Sequence, residues 1–381
     1  MPEGGPQELI GAEARGRHLT LGSFLSLKSS SAPDVNYRFD GSPIYATCAG
    51  SDSVIAIDGR VVVHLTPETG GDAGDSSLLV SRIAGGDDEA GDEDSEADVP
   101  DGADEQRRDG TGAEARFTFD LRCPAPAGDG VVYVVDGDRI RKLQLAPRQE
   151  PQQGTGAAVS TLQLADWEPR AIWGLVHIPP QQLTGASAGG GGCLVFSTDT
   201  ALYSLALPPG AAAASAPGPL TPQLLAGHRA EPGSADGAGP DARFTSIRIG
   251  LALDGDGCVV LLDQHAQHEG HTAIRRVSPA DGAVSTLGVL TESFTRPAVL
   301  PGSGCLAAIM TQPQRAVSII DLGLTPPRLL PAASGGGAAA AGAGGEGTTP
   351  AKAHARLADD DEEEGPGASA GGSGGHKRRR K

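Results

Sequence analysis

The sequence contains an internal repeat, and this feature limits the possible folds more than any other. The segment 109–117 reads DGTGAEARF, and the segment 236–244, which begins 127 residues later, reads DGAGPDARF. The same displacement aligns two GDG motifs and two apolar runs that end in Asp136 and Asp263. Ile-Arg pairs and identical Val-Ser-Thr-Leu quartets then follow in the same order in both copies. The chain therefore holds at least two copies of one structural unit.

The pattern resembles the NHL repeat, whose units read Gly, Ala-Arg-Phe, an apolar strand, Asp-Gly, a second apolar strand ending in Asp, Ile-Arg and Val-Thr-Leu-Ala-Gly. The resemblance is specific at 109–162 and 236–288. It implies a propeller of four-stranded antiparallel blades, usually six, of the TolB-like type. In that family such propellers often precede a BTB domain that recruits a cullin ubiquitin ligase. No BTB sequence follows residue 333 in this chain.

The local sequence agrees with an all-β propeller of five to six four-stranded blades. Short β-rich runs alternate with Gly, Pro and Asp, which is typical of strands joined by tight turns. The predicted blades lie at 44–84, 117–164, 171–226, 244–288 and 297–331. We expect an N-terminal segment 1–41 that could supply closing strands, a propeller at 42–333, and a disordered Gly/Ala-rich tail at 334–381.

Charge is concentrated in one insertion. The chain has a net charge of −18, and residues 87–108 hold eleven acidic side chains against two arginines. A block of like charge without apolar anchors predicts disorder, so we expect a disordered acidic insertion at 86–108. The rest of the predicted propeller shows no concentrated basic face, which argues against nucleic acid as a partner.

Several features indicate a soluble protein of a reducing compartment, in the cytoplasm, the nucleus or both. The five cysteines occur singly, without a CxxC motif. The sequence shows no signal peptide and no long apolar stretch, so we expect no membrane association. The last five residues form a basic cluster typical of nuclear-import signals, which would make an import receptor a partner. These candidate residues are Lys377, Arg378, Arg379, Arg380 and Lys381.

Strand direction sorts the long loops by face. In a four-stranded blade, the turn between the second and third strands lies at the same end as the connection to the next blade. This rule places 86–108, 227–243 and 264–272 on one face of the propeller. It places 183–192 and 208–222 on the opposite face. We expect partners to bind the first of these faces.

The loop 264–272 is the only candidate metal site in the sequence. It carries His265, His268 and His271, and imidazole nitrogens suit zinc, copper or nickel. The simpler interpretation is a polar, solvated insertion, so we expect no metal and no other cofactor.

Other repeated polar residues are interpreted as structural. Asp136 and Asp263 end equivalent strands, and Arg116 and Arg243 precede equivalent phenylalanines, as blade-forming turns would require. Cys193, Cys258 and Cys305 each open a strand in a different blade, which predicts small half-buried residues. Basic residues on two third strands suggest a solvated, charge-protected edge. They are Arg139, Arg141, Lys142, Arg275 and Arg276.

No convergent catalytic constellation is visible, so the sequence favours a non-enzymatic scaffold that binds a protein partner through a propeller face. The NHL resemblance extends this to a substrate-recognition module linked to ubiquitination. Two alternatives stay open. One is a metal-dependent propeller lyase or hydrolase, and the other is an RNA-binding propeller.

Overall fold

A computed structural model describes residues 26–29, 32–36, 45–50, 53–67, 77–86, 107–145, 156–183, 190–209, 218–312 and 316–327. They belong to one compact unit, Met1–Gly336. The tail beyond it, including Lys377–Lys381, and residues 87–106 of the acidic insertion lie outside the described residues.

The described strands form five sheets, which are the blades of a β-propeller, so the predicted fold class is confirmed. The first blade contains Tyr45–Gly50, Ser53–Asp58, Val61–Pro67 and Ser77–Ala84 in antiparallel order. Two N-terminal strands, Ser26–Ser29 and Ala32–Asn36, extend the outer edge of this sheet. The former pairs in parallel with Ser77–Val80. In chain order these six strands are β1 (Ser26–Ser29), β2 (Ala32–Asn36), β3 (Tyr45–Gly50), β4 (Ser53–Asp58), β5 (Val61–Pro67) and β6 (Ser77–Ala84).

The next two blades follow the same antiparallel plan. The second blade holds β7 (Gly110–Thr111), β8 (Leu121–Gly128), β9 (Val131–Asp136), β10 (Arg139–Gln144) and β11 (Ala158–Thr161). The third holds β12 (Gly174–Ile178), β13 (Cys193–Ser197), β14 (Ala201–Ala206) and β15 (Gln223–Gly227).

The fourth blade repeats the five-stranded pattern of the second. It holds β16 (Gly237–Ala238), β17 (Ile247–Leu253), β18 (Val259–Gln264), β19 (Thr272–Val277) and β20 (Ala283–Leu290). The fifth holds β21 (Ser293–Val299), β22 (Leu306–Gln312) and β23 (Ala316–Ile320). Short 3-10 turns occur at Gly112–Glu114, Pro180–Gln182 and Gly239–Asp241. Within the described ranges there are five blades, and the sixth that is usual in NHL propellers is not seen.

The repeated motif forms the connection into its blade. After Asp109 and Asp236 come the two-residue strands β7 and β16, each paired with the last strand of its own blade. A 3-10 turn and a buried alanine follow, and the aromatic rings of Phe117 and Phe244 are almost fully buried. The glycines permit this tight path, since Gly112 has φ +56° and Gly239 has φ +54°.

The core consists of apolar layers between neighbouring blades. One layer joins blades two and three, with Tyr133 and Ile140 against Phe196 and Leu205. Similar layers lie between blades one and two, three and four, and four and five. The first strands of successive blades contact one another at the inside of the ring, β3 with β8, β8 with β12, β12 with β17 and β17 with β21. Burial of these aliphatic side chains is the main source of stability.

Candidate functional site

One end of the propeller carries the turns between second and third strands together with the connections between blades, and we call it the connection face. In the second, third and fourth blades the turn is hydrogen-bonded to a connection. The Gly137 N–H donates to the Asp120 carbonyl at 3.2 Å, and the His228 N–H donates to the Thr200 carbonyl at 3.2 Å. In the fourth blade, the Gln264 N–H donates to the Ser246 carbonyl at 3.0 Å.

The acidic insertion enters and leaves at the connection face. Its first flanking residue, Gly86, donates its N–H to the Ala115 carbonyl at 3.2 Å. Its last flanking residue, Arg107, binds the Asp138 carboxylate at 2.9 Å, and Asp138 lies in a turn of this face. The two ends of the acidic run are therefore fixed to the same face as the His265–His271 turn.

An exposed aromatic ring lies in the connection between the first two blades. Phe119 is 77% exposed, the most exposed of the large apolar side chains in the described ranges. The guanidinium of Arg60, in the turn of the first blade, lies 3.4 Å from the centre of the ring. The contact spans two blades and holds the ring in place at the surface. Aromatic rings stacked with arginine are common anchors in protein interfaces.

A second aromatic residue, Trp173, lies at the entrance to β12. The indole Nε1–H donates to the Asp199 carboxylate at 2.7 Å, and the Arg122 guanidinium lies 4.7 Å from the ring centre. Asp199 also lines a cavity of about 300 Å³ with Arg170, Thr198, Thr200 and Arg229. Glu168 forms ion pairs with both Arg170 and Arg229, so opposite charges lie side by side near this cavity. The two arginines at the cavity are balanced by Asp199 and the neighbouring Glu168.

The repeated aspartates and arginines form ion pairs that hold the second and fourth blades together. In the second blade, Arg141 is fully buried and its Nη1 lies 2.7 Å from the Asp136 carboxylate. Its Nη2 binds Asp109 at 3.0 Å, and Asp109 also accepts the N–H and hydroxyl of Thr161. Asp136 accepts the Thr118 N–H and hydroxyl. We call this arrangement the blade latch.

The fourth blade contains an equivalent latch. Arg275 binds Asp263 at 3.4 Å and Asp236 at 2.9 Å, and Asp236 accepts the N–H and hydroxyl of Thr286. The guanidiniums of Arg141 and Arg275 also lie 5.0 and 5.2 Å from the Phe117 and Phe244 rings. The repeat therefore encodes an internal ion-pair network.

The predicted solvated edge is wrong for three of the five basic residues. Arg141 and Arg275 are fully buried, and Lys142 is 5% exposed. Burial lowers the pKa of Lys142. Arg139 and Arg276 keep partly exposed side chains, and Arg276 binds Asp254 at 2.7 Å and Asp256 at 2.8 Å. The middle of β10 and the first four residues of β19 are buried on both faces, so Arg141 and Arg275 lie in the interior, where acidic partners meet them.

Arg116 and Arg243 each bind the 3-10 turn that precedes them. The Arg116 Nη1 donates to the carbonyls of Ala113 and Ala115, the latter at 3.1 Å. The Arg243 Nη1 donates to the carbonyls of Pro240 and Ala242, the latter at 2.8 Å. These contacts fix the connection between blades.

Burial changes the pKa of several groups. Desolvation raises the pKa of the Asp263 carboxyl to about 6, although the N–H groups of Thr245 and Ser246 and the charges of Arg275 and Arg248 act in the opposite direction. Desolvation also raises the pKa of Cys123 to about 12 and that of Cys193 to about 11. Neither thiol is poised as a nucleophile, because only the thiolate reacts.

The cysteines of blades three, four and five do not converge. Cys193 is buried in β13, whereas Cys258 and Cys305 are partly buried in the later blades, and all three thiols are free. The structure does bring the three histidines of the long turn together. The ring centres of His265 and His268 are 5.0 Å apart, those of His268 and His271 are 5.0 Å apart, and the third pair is 6.3 Å apart.

Sequence reasoning missed a bulge on the first strands of three blades. Cys123 and Arg296 have φ values of +52° and +54°, and Gly250 has +99°. A positive φ at a residue other than glycine is uncommon. Each of the three lies where the pairing of the first and second strands shifts register. A Cβ on Gly250 would come within 3.1 Å of the Arg296 Cα, so the first strands pack closely here.

Comparison with known proteins finds only distant structural likenesses. No family model matches the sequence, and no curated protein matches it. A protein of unknown function from Bacteroides thetaiotaomicron shares 10% identity with a TM-score of 0.42, over 78% of this chain and 75% of that one. An auxiliary nutrient binding protein from the same organism shares 11% identity with a TM-score of 0.39, over 78% and 75%. The periplasmic gluconolactonase PpgL of Pseudomonas aeruginosa shares 14% identity with a TM-score of 0.35, over 75% and 72%.

These likenesses carry no argument about fold or chemistry, because the TM-scores are below 0.5. The NHL resemblance is not matched by a family model and stays a prediction. In the part of the chain that the structure describes, no three His, Cys, Asp or Glu side chains are arranged to hold a metal ion. No helix within those ranges is long and apolar enough to cross a membrane.

Proposed function

We propose that the chain is a non-enzymatic scaffold that binds a protein partner through the connection face. The observation that carries the proposal is the exposed ring of Phe119, stacked with Arg60 at the boundary between two blades. An apolar ring kept at the surface costs free energy in the isolated protein, and a partner that covers it would recover that cost.

The surroundings of Phe119 suggest the chemistry of the partner. Trp173 and Arg122 offer a second aromatic and cationic pair on the same face. The acidic insertion starts and ends there, and its eleven carboxylates would attract a basic segment. We therefore propose a partner that places an apolar side chain on Phe119 and basic residues near the acidic insertion.

The latches support a structural use for the most noticeable charged residues. Asp136 binds Arg141 inside the second blade, and Asp263 binds Arg275 inside the fourth. Charged groups that are paired inside a blade in this way are not available to a substrate or to RNA. The narrower role in ubiquitination comes from the NHL resemblance alone, and it predicts ubiquitin-ligase subunits among the captured proteins.

The test is affinity capture from cells, with protein, RNA and metal measured in the eluate. Three proteins are compared: the unaltered chain, Phe119→Ala and Leu224→Ala. Leu224 is the matched control, because it is 42% exposed near the start of β15, at the opposite face. We expect Phe119→Ala to lose the partner by about tenfold or more, as for a central interface aromatic, and Leu224→Ala to keep it.

A fourth protein, with the acidic residues of 87–105 replaced by Ser and Gly, should bind the partner more slowly and with less dependence on salt. Equal capture by all four proteins would contradict the proposed face. An eluate dominated by RNA would instead support the RNA-binding propeller. A stoichiometric metal that is unaffected by Phe119→Ala would support the metal-dependent lyase or hydrolase.

A further inference from the structure

The outer edges of the blades differ in how well they are protected against pairing with another chain. The edge of the first blade is β2, which contains Pro33, and the edges of the second and fourth blades are the two-residue strands β7 and β16. In the third blade, the outermost strand β15 shifts register where it pairs with β14. Proline, very short strands and bulges all hinder pairing between edges. Four of the five outer edges therefore carry a protective feature.

The outer edge of the fifth blade has none of these features. Strand β23 (Ala316–Ile320) reads AVSII and pairs with β22 over five consecutive residues without a shift of register. Among the described strands, no other one pairs with it, so its sheet has three strands. Alternate residues of a strand direct their N–H and C=O groups to the same side. The fifth blade therefore presents a regular edge that carries no charge.

The exposed side chains of β23 are apolar. Val317 is 67% exposed and Ile319 is 39% exposed, so one short strand holds two of the four exposed large apolar side chains in the described ranges. They lie opposite Ile309 and Ala307 of β22, on one face of the blade. The other face, which includes Ile320, packs against the fourth blade. An exposed apolar strand at a regular edge is a typical site of pairing between molecules.

The sequence of β23 is complementary to a second copy of itself. A two-fold axis through Ser318, perpendicular to the sheet, brings two copies of the strand together in antiparallel order. In this register Val317 of each copy lies opposite the partner subunit's Ile319, and the small Ala316 lies opposite the larger Ile320 of the partner subunit. Opposed β-branched side chains pack well on one face of an antiparallel sheet. No charged residue in the strand opposes this pairing.

We propose that the chain forms a reversible homodimer, in which β23 pairs in antiparallel order with β23 of a second copy. The pairing would join two three-stranded sheets into one sheet of six strands. Each copy contributes a strand of only five residues, and small interfaces form transient complexes, so we expect a dissociation constant of about 10–100 µM. The strand lies at the outer rim of the propeller, so the proposal does not depend on the Phe119 surface.

The test is sedimentation velocity of the full chain at about 1–200 µM, a range that brackets the expected dissociation constant. Val317→Lys and Ile319→Lys each place a charge on the edge, which is a natural means of preventing edge pairing. The matched control is Leu224→Lys, which places the same charge on an exposed apolar residue of β15. We expect the unaltered chain and the control to dimerise alike, and each β23 variant to dimerise at least about tenfold more weakly.

The dependence on salt gives a second readout. Each copy has a net charge of −18, so two copies repel each other, and screening by salt should strengthen the dimer. The partner proposed for the connection face should show the opposite dependence, because its attraction to the acidic insertion weakens as salt rises. A dimer that dissociates on addition of salt would contradict pairing through β23.

Hydrogen exchange at residues 316–320 identifies what pairs with the strand. In a homodimer, the protection of these amides should rise with protein concentration. The proposal is overturned if the chain stays monomeric over the whole range, or if both β23 variants dimerise as tightly as the control. Protection that does not change with concentration would show that a segment of the same chain covers β23. Protection that requires a different protein would show a heterologous partner, and either result would also overturn the homodimer.

Discussion

Removing the guanidinium of Arg141 should destabilise the propeller strongly. In Arg141→Met, the carboxylate of Asp136 would lose its nearest partner, at 2.7 Å, and would keep only the more distant Arg107, at 3.6 Å, while staying fully buried. Removing one partner of a buried ion pair typically costs about 3–5 kcal/mol, because the remaining charge is uncompensated. A cost of this size is a large fraction of the roughly 5–15 kcal/mol that stabilises most folded proteins.

The same strand supplies the matched control. Arg139 lies two residues earlier, its side chain is 35% exposed, and its pair with Asp138 is longer, at 3.6 Å. Exposed pairs of this kind contribute about 0–1 kcal/mol, so Arg139→Met should change stability little. Free energies of unfolding would be measured by urea denaturation followed by circular dichroism, with linear extrapolation to water.

A double substitution tests the reason for the loss. Asp136→Asn together with Arg141→Met removes both charges, and the Asn side chain can still accept the Thr118 N–H. We expect the double variant to be more stable than Arg141→Met alone, since no unpaired buried charge is left. The reasoning is refuted if Arg141→Met lowers the free energy of unfolding no more than Arg139→Met does. It is also refuted if the losses measured for Asp136→Asn and Arg141→Met separately add up to the loss of the double variant.

Two further predictions concern pH and location. The pKa of the Asp263 carboxyl is raised from 3.8 to about 6, so the contribution of its bound proton to stability is fully present below pH 3.8 and is lost as the pH rises through about 6. As the pH rises between these limits, the free energy of unfolding of Asp263→Asn minus that of the unaltered chain should therefore increase by about 3 kcal/mol. Parallel plots of the two free energies against pH would contradict this. Deleting Lys377–Lys381 from a fluorescent fusion should move the protein toward the cytoplasm, and an unchanged distribution would show that the cluster is not an import signal.

The sequence predicted the fold because the two repeats carry complete strand-and-turn patterns. The runs that end in Asp136 and Asp263 are strands β9 and β18, and the Gly-Asp-Gly elements form turns at their starts. The face on which the His265–His271 turn and the residues flanking the acidic insertion lie also followed from strand direction. These features depend on neighbours close in the chain, which a sequence displays directly.

The buried latch could not be predicted in the same way, because its members come together only in the folded blade. Arg141 lies 32 residues after Asp109, and Thr161 follows Asp109 by 52 residues. A basic residue on a third strand is usually solvated, so the interior position of Arg141 was missed. The exposure of Phe119 was also missed, because an aromatic ring beside a strand usually belongs to the core. The available signal was the order Asp, Arg, Thr, in which Asp109, Arg141 and Thr161 of one repeat match Asp236, Arg275 and Thr286 of the other.

The positions of the two tryptophans supply the protein with two separate optical reporters. Trp167 is partly buried against Phe196 and Tyr203, with ring centres 5.2 and 5.0 Å away, so its emission should report on the integrity of the third blade. Trp173 is partly exposed on the connection face between Arg122 and Asp199. Its emission should change when a bound molecule excludes water from that face. Because the chain has no other tryptophan, the emission spectrum of Trp173→Phe comes from Trp167 alone. Subtracting it from the spectrum of the unaltered chain gives the emission of Trp173.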